Sequence, residues 1–132
     1  MPRVWWPLRR GRPCVEVVLT LAAGGQPWTR GLVADTGAGA NNSGFHLILD
    51  ENDCLRCSGN LLQPLTLGGA YTGSFPTYAL SVRLPALGFD RPLTVIGVTS
   101  VPVGFHGIAC FSFLNQFTYG NFGDPGRFGL EC

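Results

Sequence analysis

Apolar and polar positions alternate along this chain in short stretches, each closed by glycine or proline. That punctuation suits strands better than helices. The clearest stretch is 78–84, where Tyr78, Leu80, Val82 and Leu84 alternate with Ala79, Ser81 and Arg83. Period-two alternation of this kind marks a strand with one buried face. Residues 14–21 predict a first strand, 22–27 a turn built on Gly24-Gly25, and 28–34 the returning strand. Residues 45–49 and 93–98 predict two more strands, and 128–132 a last one. Asp50 reads as the cap of a helix of about two turns, with Asp53 three residues later. Leu65-Thr66-Leu67, running into Gly68-Gly69, predicts one arm of a longer hairpin. Residues 111–117 lack glycine and proline and predict the one convincing short helix. Residues 119–129 hold four glycines and a proline and predict loop.

The fold class is therefore all-β, a small barrel or sandwich with one short helix near the C-terminus. With 132 residues the chain predicts one domain, in the usual range of about 100–150. Residues 14–132 form that domain, and 1–13 read as a basic and aromatic arm, disordered. The arm holds Arg3, Arg9, Arg10 and Arg12 with Trp5 and Trp6, so contact with RNA or lipid is its sharper reading. Only 13% of residues are charged against 45% apolar, which leaves apolar surface to hide and points to a subunit interface.

A net charge of +1 gives no general attraction to nucleic acid or an anionic membrane. No apolar run reaches the ~18 residues of a membrane helix. Pro2, Pro7 and the arginines interrupt any signal-peptide core. The expectation is a cytoplasmic protein with neither a membrane nor a nucleic-acid partner. Five cysteines, an odd number without an export signal, predict free thiols. Cys54-x-x-Cys57 is half of a zinc pattern, but no second pair exists, so no metal is assigned. His46 and His106 read as ordinary histidines, and Ser43 and Ser112 lack a base partner.

The chemistry gathers at Leu32-Val33-Ala34-Asp35-Thr36-Gly37-Ala38. An apolar run ends in one carboxylate, which is costly to bury unless paired or given donors. Thr36 offers a hydroxyl, and Gly37 and Gly39 let backbone amides approach. One carboxylate cannot be acid and base at once, whereas two close together share a proton and split their pKa values. Asp90 and Asp124 lie among turn formers and read as surface residues. A paired site thus requires a two-fold axis that sets Asp35 beside its copy.

This loop resembles the active-site loop of the retropepsin-like (retroviral-type, clan AA) aspartic proteases. Leu65-Thr66-Leu67-Gly68-Gly69-Ala70-Tyr71 is similar to the family's flap. Gly107-Ile108-Ala109-Cys110-Phe111-Ser112-Phe113-Leu114-Asn115-Gln116-Phe117 is similar to its late apolar pair, glycine and short helix. Cys110 stands where the family usually has glycine, and Ser112 where many members have Asp.

The resemblance implies a small closed barrel, dimeric, acting as an aspartic endopeptidase on extended peptide or protein substrates. It implies no metal or organic cofactor. Asp35, Thr36 and Gly37 would be catalytic, with Asp35 of each subunit sharing a water and Thr36 tying the two loops together. Ala38, Gly68, Gly69 and Ala70 would bind substrate, and residues 128–132 would pair with their copy in a dimer sheet. Two alternatives stay open, and Cys110, which adds a Cβ and a sulfur behind the loop, favours the first. One is a non-catalytic peptide-binding module of the same fold. The other is an interaction or redox-sensing domain that uses Cys54 and Cys57.

Overall fold

A computed structural model describes residues 2–21, 26–57 and 60–132. It is mostly strand, 52% against 10% helix. In chain order the strands are β1 (Arg3–Pro7), β2 (Cys14–Leu19), β3 (Trp28–Ala34), β4 (Leu47–Asp50) and β5 (Asn60–Leu67). They continue as β6 (Gly73–Leu84), β7 (Phe89–Val98), β8 (Gly107–Ala109), β9 (Thr118–Gly120) and β10 (Arg127–Glu131). Helix α1 (Glu51–Arg56) follows β4, and α2 (Phe111–Leu114) follows β8. Among the described residues no helix is long and apolar enough to cross a membrane.

Six strands close a barrel in the order β2-β3-β8-β4-β7-β6, and β6 returns to β2 through Val18 opposite Arg83 and Leu19 opposite Val82. β5 extends the sheet beyond β6. Closure removes edges that would otherwise leave backbone groups unpaired. Two pairings are parallel, β3 with β8 and β4 with β7. The three residues of β8 are all buried, lying between β3 and β4. Only glycine fits at Gly107, because a Cβ there would meet the Ile48 carbonyl oxygen and the Leu49 side chain.

The alternation read in 78–84 is the inward face of β6, with Tyr78, Leu80, Val82 and Leu84 buried. They pack with Val15, Val17 and Leu19 of β2, Leu47 and Leu49 of β4, and Phe113 of α2. Phe113 is fully buried and meets Phe89 and Phe117 edge-on, with ring centroids 5.9 and 5.3 Å away. Asp50 caps α1 as expected, its carboxylate accepting the Asn52 amide at 2.9 Å. Asp53 instead pairs with Arg30, 3.0 Å away.

The two histidines extend backbone ladders. His46 donates its amide to the Thr94 carbonyl and accepts the Thr94 amide on Nδ1, at 2.8 and 3.1 Å. His106 does the same with Gly31, at 2.8 and 3.2 Å. An acceptor Nδ1 requires the neutral ring, and burial pushes both pKa values below the ordinary histidine value. The unfolded chain therefore binds more protons just below its own histidine pKa of about 6.5, and stability rises with pH there. The contribution is complete above about pH 6.5 and is lost as pH falls through that value towards the folded ones. Thermal unfolding across pH 5 to 8 should give a melting temperature that drops on the acid side, with a smaller drop in His46→Gln. A flat profile would contradict this coupling.

Five expectations need correction. The N-terminal arm is no disordered tail: β1 runs antiparallel to β10 from Arg3 opposite Glu131 to Pro7 opposite Arg127. Its Val4 and Trp6 pack on the core, and an Arg3–Glu131 ion pair links the strand ends. Residues 119–129 are not all loop, since Tyr119 and Gly120 belong to β9, which pairs with β10. Gly120 adopts φ +143° there, so the glycine shapes a strand end instead of forbidding one. Helix α2 stops at Leu114, one turn long, and β7 begins at Phe89, so Asp90 is a strand residue opposite Arg83. Finally, β10 has β1 on one side and β9 on the other, leaving no free edge for a second copy of residues 128–132. Of the turn expected at 22–27, residues 22–25 lie outside the described residues.

Candidate active site

Strand β3 carries Leu32 and Val33 into the core and ends where Asp35 emerges. Three backbone hydrogen bonds fix that exit. Ala34 donates to the Pro13 carbonyl (2.9 Å), Asp35 to Ala109 (3.0 Å), and Phe111 returns to Ala38 (2.9 Å). The loop then folds on itself. Ala38 donates to the Asp35 carbonyl at 3.1 Å, and Gly37 donates to the Asp35 carboxylate at 2.9 Å. Gly39 adopts φ +76°, and a Cβ there would lie 2.9 Å from Ser43 Oγ, so this turn needs glycine. Ser43 Oγ in turn accepts the Ala40 amide at 2.7 Å. A carboxylate on so tethered a loop holds its position without a partner, which catalysis requires.

Above it lies the hairpin joining β5 to β6. Gly68, Gly69 and Ala70, together with Asp35, Gly37 and Ala38, line one cavity of about 230 Å³. Phe45, Ile48 and Ile108 supply its apolar wall. Residues 68–70, more than thirty positions from Asp35 in sequence, thus meet it in space. Asp35 is the only carboxylate among the lining residues. Thr36 does not line the cavity; it is exposed on the turn. Asp124 accepts the Gly126 amide at 2.9 Å in its own turn.

Two residues that the sequence reading named without a role also line the site. Tyr71 donates its hydroxyl to the Ser100 carbonyl at 2.9 Å and meets Phe75 edge-on at 6.2 Å, pinning the hairpin tip to the loop after β7. Arg12 lines a second, more open groove of about 450 Å³ that shares Asp35, Ala70, Tyr71 and Ile108 with the first. The sequence set Tyr71 on the hairpin and Arg12 in the N-terminal arm but gave neither a role at the site, because these contacts form only on barrel closure.

Cys110 sits easily where glycine was expected. Its φ of −84° and ψ of 169° suit any L-residue, and its side chain is fully buried with Cys14, Val33 and Phe45. Burial, with the Asp35 charge adding, pushes its thiol up to about 12. Ser112 is buried and donates its hydroxyl to the Phe45 carbonyl. Cys54, on the buried face of α1, is likewise pushed to about 12 by burial, and burial also raises Cys57. Thiols so protonated react poorly. Alkylation at neutral pH should mark exposed Cys132 first and leave Cys54 and Cys110 unmodified in the folded protein, as mass spectrometry would read. Rapid labelling of Cys54 and Cys57 would favour the redox-sensing alternative. Among the described residues no group of three or more His, Cys, Asp or Glu gathers to hold a metal.

The class these features define is a closed β-barrel with a single carboxylate loop facing a glycine hairpin across a cleft. No family model matches this sequence, and neither a curated protein nor a solved structure matches the chain.

Proposed function

We propose that this chain is a retropepsin-like aspartic endopeptidase acting on extended polypeptide segments as a homodimer. The observation that carries the reading is the shared cavity of the Asp35 loop and the residue 68–70 hairpin. In the dimer, Asp35 and the partner subunit's Asp35 hold one proton between them. The ionised carboxylate takes a proton from water, while the protonated one polarises the scissile carbonyl. Exposed Thr36 is free to hydrogen-bond the partner's loop. The Gly37 amide is already committed to the Asp35 carboxylate, which leaves its carbonyl to face substrate. Backbone groups of Gly68, Gly69 and Ala70 pair with an extended peptide as an added strand would. The reading places the work in the cytoplasm and gives it no cofactor.

The filled edges of β10 change how such a dimer forms: contact falls to the exposed turn around Thr36 in place of a shared terminal sheet. The same filled edges favour a second reading, a monomeric module that holds an extended peptide without cutting it. Cleavage of a random peptide pool from about pH 4 to 8, with the mass in solution measured alongside, separates the two. Cleavage by a dimer supports the protease. A folded monomer that binds peptides and cuts none supports the module.

A further inference from the structure

Beside the cavity that holds Asp35 lies the second groove, and its cation is Arg12. Two tight features place that residue. Arg9 and Arg12 exchange both backbone hydrogen bonds, at 2.9 and 3.0 Å, around the two-residue turn Arg10-Gly11. Both central residues have positive φ, 53° and 73°, the conformation whose twist suits a tight hairpin. The next residue, Pro13, accepts the Ala34 amide one step before Asp35. Arg12 is thus carried beside the carboxylate loop on hydrogen-bonded backbone and not on a loose tail.

Its charge is unmatched. Arg9 pairs with Glu16 at 3.3 Å, and Arg3, Arg30 and Arg127 pair with Glu131, Asp53 and Asp124. Among the described residues no carboxylate, Asp35 included, pairs with Arg12. Its guanidinium lies instead by the Phe105 ring, 5.9 Å from the centroid. Arg9 lies 5.8 Å from the same ring, and the exposed Arg12 keeps its hydrogen-bond donors open. The remaining wall is Tyr71, Val101 and Pro102, with the Ser100 carbonyl already taken by Tyr71. A planar cation so held is suited to a carboxylate, which it can bind through two parallel hydrogen bonds.

Resting on the endopeptidase reading above, we infer that Arg12 sets the charge preference of the site: the bound peptide places a carboxylate in the Arg12 groove. Asp35 lines the same groove and repels an anion close to it, so the carboxylate lies a residue or more from the bond being cut. It comes from an acidic side chain or from the peptide's own C-terminus.

The test is peptide binding to Asp35→Asn, followed by fluorescence anisotropy, so that cleavage is not needed. Three random pools are compared: one carrying Glu with a blocked C-terminus, one carrying Gln in its place and blocked, and one carrying Gln with a free C-terminal carboxylate. The Glu pool or the free-carboxylate pool should bind about tenfold tighter than the blocked Gln pool, the lower end for a charged hydrogen bond. Whichever of the two is preferred identifies the source of the carboxylate. The preference should vanish when Arg12→Gln is added, with the melting temperature of the double variant confirming its fold. Equal binding of all three pools, binding of none, or a preference that survives Arg12→Gln would overturn the assignment. An Arg12-dependent preference in a protein that cuts no peptide would overturn the endopeptidase reading and leave the carboxylate site standing.

Discussion

Asp35→Asn is expected to lower peptide cleavage by about a thousandfold or more, since positioned acid–base groups each contribute about 10²–10⁴ in rate. In a homodimer one substitution removes both members of the pair, so neither a base for water nor an acid for the carbonyl remains. The fold should not change. Asn keeps the Oδ1 that accepts the Gly37 amide, and the bond from the Asp35 amide to the Ala109 carbonyl involves only backbone. The melting temperature should therefore match that of the wild type at pH 7, making the loss chemical and not structural. Turnover of the best peptide from the pool, measured for both proteins at equal dimer concentration, checks this. Equal turnover would mean that Asp35 is a turn residue binding its own loop, as its bond to Gly37 would also allow, and the mechanism would fall with it.

Gly107→Ala is expected to be the most destabilising single methyl group in the barrel. The new Cβ would press on the Ile48 carbonyl oxygen, a backbone atom that cannot swing aside, and would come within 2.9 Å of Leu49 Cδ2. Gly107 pairs with Leu49 on one side and Leu32 on the other, so relief requires parting β8 from β4 or β3. The cost should reach the upper end for overpacking, about 3 kcal/mol. For a domain of this size that lowers the melting temperature by roughly 10 °C. Activity should fall further than stability alone explains, because Ala109, two residues on, accepts the Asp35 amide. A melting temperature within a degree or two of wild type would show that β8 has room the packing does not reveal. The paired contrast is informative: Asp35→Asn should remove chemistry and keep the fold, whereas Gly107→Ala should strain the fold and so displace the chemistry.

Much of the architecture was legible in local pattern. The alternation through 78–84 is the buried face of β6, and Asp50 caps α1 as its residue type and position imply. The Asp-Thr-Gly-Ala stretch marked the loop, and Leu65 to Tyr71 marked the hairpin that faces it. These features depend on residues close together in the chain, where turn chemistry and side-chain period act directly. Where the reading failed, a distant partner decided. Residues 3–7 hold no strand signal strong enough to outweigh four nearby arginines, yet β10 supplies a full ladder for them. Gly120 looked like a breaker until β10 lay alongside it. Asp90 sits among turn formers, but pairing with β6 holds it extended.

The sequence by itself determined the strand-rich class, the carboxylate loop with its obligatory glycines and the glycine hairpin, because each follows from local backbone freedom and burial period. The tertiary structure alone decided that six strands close on themselves, that β1 and β9 occupy both edges of β10, and that Tyr71 and Arg12 reach the cleft. Those outcomes rest on contacts between segments far apart in the chain, whose closure entropy is overcome only when the whole barrel forms at once.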